Sequence, residues 1–113
     1  MSPEYVPDEG DVVWLQFNPQ KGHEQAGHRP AVVLTKKQYN GKTGLLVCVP
    51  VTNQAKGYPF EVALSDKKVT GVALSDQVKS LDWKARNATK KGSTTQAEMR
   101  EIRAKLKVLV GIR

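Results

Sequence analysis

The sequence predicts a small, mainly β domain: a barrel of short strands sealed by one C-terminal helix, in the all-β or α+β class. Three observations predict it. Short apolar runs rich in β-branched residues recur along the chain, separated by Gly, Pro and Asn. One helical pattern stands alone at the end. The 113 residues, 39% hydrophobic and 26% charged, suit a single domain over residues 1–113 with one modest core. There is no internal repeat, linker or low-complexity tract.

The elements follow in order. Gly10 to Phe17 (GDVVWLQF) reads as a first strand, with Trp14 expected in the core, and Asn18-Pro19 closes it. A polar loop then runs to Arg29, and Pro30 to Thr35 is the second strand. Lys36 to Gly44 is polar, with Asn40-Gly41 as the strongest turn signal in the chain, and reads as a turn or a short helical turn before the next strand. Leu45 to Thr52 is the most apolar strand and the expected centre of the sheet. Phe60 to Leu64 alternates as a half-buried strand does, and Gly71–Leu74 and Gln77–Leu81 read as two further pieces. Trp83 to Lys91 mixes an aromatic with four cationic side chains, so Trp83 is expected against a nucleic-acid base or under a subunit contact. Thr95-Gln96-Ala97-Glu98 is a capping-box pattern. Met99, Ile102, Leu106, Leu109 and Val110 then fall on one helical face, with Arg100, Arg103 and Lys107 turned to solvent and Gly111 as the stop.

The net charge of +7 is uneven: Lys79 to Arg113 hold ten Lys or Arg against three Asp or Glu, whereas residues 1–78 hold eight of each sign. An anionic partner, nucleic acid above all, fits that asymmetry and the pI near 9.7. The acidic start has no apolar h-region, so a signal peptide is not expected. No apolar run approaches the roughly 20 residues of a membrane span. The single Cys48, inside an apolar strand, cannot form an internal disulfide and is expected to be an inert core thiol in a reducing cytoplasm.

Chemistry concentrates between Lys21 and Pro30, where Glu24, two histidines and Arg29 lie between glycines and a proline. His23 and His28 are five apart, not the four of a helical zinc-protease motif, and Gly27 and Pro30 oppose a helix, so neither a metal site nor a cofactor is expected. No phosphate-cradling Gly-Lys-Ser/Thr loop and no Gly-x-Ser-x-Gly is present. A metal-free reaction on RNA stays open, because RNA carries its own nucleophile in the 2′-hydroxyl. Glu24 or His28 would take its proton, Arg29 would hold the phosphate through its planar donor fork, and Thr52 would add a hydroxyl donor. From the residues alone each assignment competes with a plainer one: a salt-bridged Arg, a turn-forming Thr, a surface Glu.

Gly10-Asp11-Val12-Val13-Trp14, the block Lys21 to Leu34, Cys48-Val49-Pro50-Val51-Thr52, Lys56 to Val62 and Gly71 to Ser80 together resemble the MazF/PemK family of toxins. The resemblance runs from about Tyr5 to Gly111. It implies an SH3-like small barrel, a homodimer, and a cytoplasmic toxin of a type II toxin–antitoxin system neutralised by a MazE-like antitoxin. It implies metal-independent cleavage of single-stranded mRNA at an ACA-like site, leaving 2′,3′-cyclic phosphate and 5′-OH ends. Arg29 and Thr52 match the family's reaction residues, with Glu24 as a third catalytic position. His28, Asn18, Lys21, Lys56, Gln77 and Lys79 are the implied RNA-binding positions. Asn18 departs from the Asp of close relatives, which argues against an acid–base role there. Two other classes compete: a CcdB-like toxin that binds gyrase, and a non-catalytic RNA-binding SH3-like module. The reactive loop speaks against the first.

Overall fold

Strand β3, Leu45–Thr52, hydrogen-bonds along both edges, and the sheet is assembled around it. The computed structural model describes residues 4–17 and 27–112. Within them the order is β1 (Asp11–Phe17), β2 (Gly27–Val33), α1 (Lys37–Thr43), β3, β4 (Glu61–Ala63), β5 (Val72–Leu74), β6 (Lys79–Asp82), β7 (Thr89–Ser93) and α2 (Gln96–Val110). The antiparallel order is β4-β5-β3-β2-β1-β7, with β6 on the first half of the β3 edge that β5 takes further along. The α+β class holds and the shape is barrel-like, but the sheet is not closed.

The central strands are buried on both faces, which explains their nearly unbroken apolar runs. On one face Val12, Val32, Val49 and Val51 meet Val62, Val69, Ala73 and, from α2, Met99 and Ile102. On the other, Val13, Leu15, Phe17, Ala31, Val33, Leu46 and Cys48 pack under Trp83. Neighbours in sequence therefore enter different cores. This follows from the two-residue period of a strand.

Several expectations change. The second strand begins at Gly27 rather than Pro30, because Phe17, Gln16 and Leu15 pair with Gly27, His28 and Arg29. Arg29 is thus a strand residue. Of the two readings of the Lys36–Gly44 segment the helical one holds, and Asn40-Gly41 lies inside α1. The buried Asn40 amide donates to Pro7 O (2.8 Å) and Thr35 O (3.0 Å) and accepts from Thr35 Oγ1 (2.7 Å). At about 1 kcal/mol each, these bonds exceed the helix-propensity cost of an Asn and a Gly, together about 1.5 kcal/mol. The chain reverses instead at Gly44, whose φ of 74° caps the helix.

The two tryptophans exchange places. Trp83 is a core residue, 3% exposed, and its Nε1–H donates to Asn40 O at 2.9 Å. Trp14 is only half-buried. Strand β7 was not expected; it is polar, and its pairing with β1 rather than its own pattern makes it a strand. On α2 the capping box forms as predicted: Glu98 N–H donates to Thr95 Oγ1 (3.1 Å) and Thr95 N–H to Glu98 Oε1 (2.9 Å). Only Met99 and Ile102 of its apolar face are buried, while Leu109 and Val110 are exposed. Among the described residues no helix is long and apolar enough to cross a membrane.

Gly71 fixes the end of β3. A Cβ on it would lie 2.2 Å from the Thr52 carbonyl oxygen, and its φ is +136°. Gly71→Ala should cost more than about 1 kcal/mol in urea unfolding, chiefly through a lower midpoint. An unchanged midpoint would show that the β3–β5 contact is soft.

Candidate functional site

Strand register decides which of the expected residues meet. Cross-strand partners share a face, so Arg29 lies on the face of its partner Leu15, with Ala31 and Val33. Pro50 pairs with Ala31 and Cys48 with Val33, and the same alternation puts Thr52 on that face too. Continued two residues past Ala31↔Pro50, this register sets Arg29 across from Thr52. Lys79 pairs with Cys48 and joins them. Arg86 approaches the same face, its guanidinium donating to Gln16 O at 3.0 Å. Arg29, Thr52, Lys79 and Arg86 thus define one polar, cationic face at the edge of an apolar core.

Thr52 is 7% exposed and strand-paired with Val72. Its Oγ1 accepts the Gln54 N–H at 3.2 Å, which leaves the hydroxyl hydrogen to donate elsewhere. Lys56 is exposed on the loop after β3; the Glu61 carboxylate holds that loop by accepting the N–H groups of Lys56 (2.9 Å) and Gly57 (3.0 Å). Gln77 is half-buried in the turn after β5, its N–H bonded to Leu74 O at 3.0 Å. Asn18, Lys21 and Glu24 lie outside the described residues.

His28 alternates with Arg29 along β2, and the two meet only where both line one cavity. His28 pairs with Gln16 and belongs to the opposite face, its ring set edge-on to Trp14 with centroids 4.6 Å apart. Lys91 Nζ stands 4.7 Å over the Trp14 ring. These side chains line a cavity of about 300 Å³ with Lys68 and Thr70. Sequence reasoning missed this grouping. Its signal was the phase of β1: Val13, Leu15 and Phe17 are apolar at alternate positions, which leaves Trp14 on the side of the polar Gln16.

Cys48 is inert, as expected. Burial pushes its thiol up to about 12, against the opposing pull of Lys79 and Arg86. It should resist iodoacetamide at pH 8 in the native protein and react on unfolding. Rapid native labelling would show that the face beside Arg29 opens.

A half-buried strand end that gathers arginine, lysine and a hydroxyl offers donors suited to a phosphate, on a small β scaffold. The comparisons place that scaffold. Residues 8–110 match the model of PemK-like, MazF-like toxins of type II toxin–antitoxin systems, and the chain belongs to this family. The endoribonuclease toxin MazF of Escherichia coli K12 is 61% identical over 107 residues, covering 95% of this chain and 96% of that protein. The crystal structure of MazF from Deinococcus radiodurans superposes with a TM-score of 0.91 at 51% identity, covering 96% of this chain and all of the other. A MazE–MazF complex from the same organism gives a TM-score of 0.88 at 50% identity, covering 97% of this chain and 100% of that one.

Proposed function

We infer that this chain is an endoribonuclease toxin that cleaves single-stranded mRNA at an ACA-like site, without a metal or cofactor, as a cytoplasmic homodimer. Family membership supplies the class, and the face shared by Arg29 and Thr52 carries the chemical reading. The 2′-hydroxyl oxygen attacks the adjacent phosphorus as a base takes its proton. The P–O5′ bond breaks and the 5′ oxygen takes a proton from water as it leaves, so the products carry a 2′,3′-cyclic phosphate and a 5′-OH. Arg29 neutralises charge on the phosphorane oxygens through paired N–H donors, and the Thr52 hydroxyl donates to the same phosphate. Glu24 serves as the base. The strand alternation that turns His28 away from Arg29 supports this choice and gives His28 a binding role. Lys79 and Gln77 border the RNA on the Arg29 face, Lys56 reaches it from the loop after β3, and Asn18 and Lys21 are further RNA contacts. A MazE-like antitoxin with an acidic segment would cover these cations and block the substrate.

Cleavage of a defined single-stranded RNA containing ACA, in EDTA and with both product ends mapped, tests the reading. Arg29→Ala should lower the rate about 100-fold or more and leave the thermal transition nearly in place. Loss of the fold instead would make Arg29 structural. Thr52→Val, which keeps the side-chain shape, should cost at least about tenfold, whereas wild-type turnover would remove the hydroxyl from the reaction.

A further inference from the structure

The cavity on the other face is a second built site. Its floor is the half-buried Trp14 ring, oriented by the His28 edge, with Pro30 and Val51 as apolar wall. Lys91 and Lys68 supply charge, and Arg29, Asn53 and Thr70 complete the lining. Among the described residues, none that lines it is a carboxylate. At about 300 Å³ the cavity is at the small end of ligand pockets, with room for one planar group.

Lys91 owes its position to a defect in the ladder. Strand β1 pairs Val12 with Gly92 and then Val13 with Lys90, so Lys91 is the extra residue of a β-bulge. Bulges re-aim side chains, and this one brings an ammonium over the Trp14 ring at 4.7 Å. The Lys68 side is equally fixed. The Asp66 carboxylate accepts the N–H groups of Lys68 (2.9 Å) and Ser93 (3.0 Å), tying that turn to β7 just past the bulge. The Asp66 carboxyl is held below the ordinary carboxylate range by those two N–H groups, so the tie is charged at neutral pH.

We propose that the cavity lined by Trp14, Lys91 and Lys68 binds one nucleotide of the single-stranded RNA flanking the cleaved bond, its base stacked on Trp14 and its phosphate held by the two lysines. The proposal rests on the ribonuclease reading above. An aromatic face beside two lysines matches a base joined to a phosphate, whereas an acidic peptide would need only the cations. The ammonium over the ring is a placeholder: an incoming base takes the ring face, stacking exceeds an exposed cation–π contact, and the released ammonium meets the phosphate. Arg29 borders the cavity while belonging to the Thr52 face, so one RNA strand crossing the end of β2 reaches both.

The test is steady-state cleavage by the wild type, Lys91→Met and Trp14→Leu, using an RNA shortened one nucleotide at a time from either end. Thermal melts confirm that each variant folds; Lys91→Met removes no core contact and keeps the test valid if Trp14→Leu does not fold. Both variants should raise KM about tenfold with kcat within about twofold, and the difference should vanish once the stacked nucleotide is removed. For Lys91→Met the slope of log KM against log salt should fall by about 0.7. An unchanged KM overturns the proposal. So does a variant that cleaves normally but escapes antitoxin inhibition, which would assign the cavity to the protein partner. If the wild type cleaves no RNA, the ribonuclease reading fails separately; binding of a 2′-deoxy RNA, followed by quenching of Trp14, then decides the pocket. Quenching in the wild type but not in Trp14→Leu supports it, and no quenching overturns it.

Discussion

Strand β3 is the constraint on which the structure depends. It donates and accepts along both edges, to β2 on one side and to β6 and then β5 on the other. A strand so placed has no solvent edge along most of its length, and from Cys48 onward both its faces are buried. Its backbone is satisfied by pairing, and its side chains divide between two cores. The open ends of the sheet fall on the short β4 and the polar β7, whose Lys90 and Lys91 discourage a further strand from adding there.

The same division orders the site. Alternation on β2 sends Arg29 toward the face of Thr52 and Lys79, and His28 toward Trp14 and Lys91. Two adjacent residues thereby serve two surfaces, one suited to phosphate chemistry and one to a flat ring. The supports are rigid backbone features: the close approach of Gly71 to the Thr52 carbonyl, the bulge at Lys91, and the Asp66 carboxylate that fastens the Lys68 turn to β7. None of these is a long side chain at a fixed distance.

Net charge has a similarly uneven distribution in space. Lys79, Arg86 and Arg29 collect on one face, and Lys68 and Lys91 on the other, whereas Arg103 is paired with Glu9 and Lys105 with the Pro59 carbonyl. The cations of α2 are therefore partly spent on holding the helix to the body. Those of the strands fall on the two faces to which the proposed RNA contacts are assigned.

How much was legible in the sequence depended on the range of the forces involved. The central strand, the capping box and the α+β class could be read directly, because Leu45–Thr52 is apolar throughout and Thr95 and Glu98 are three residues apart. Family blocks pointed to Arg29 and Thr52 as well. The tryptophans could not be placed, since burial of Trp83 depends on a hydrogen bond to Asn40, 43 residues away. Asn40-Gly41 became helical for the same reason: its amide is claimed by Pro7 and Thr35. Strand β7, the bulge at Lys91 and the pocket over Trp14 exist only through pairing with β1. The sequence by itself determined the elements whose signals are local, namely period, caps and apolar runs. Tertiary structure alone decided register and facing, because a one-residue shift in pairing exchanges every side chain between the two cores.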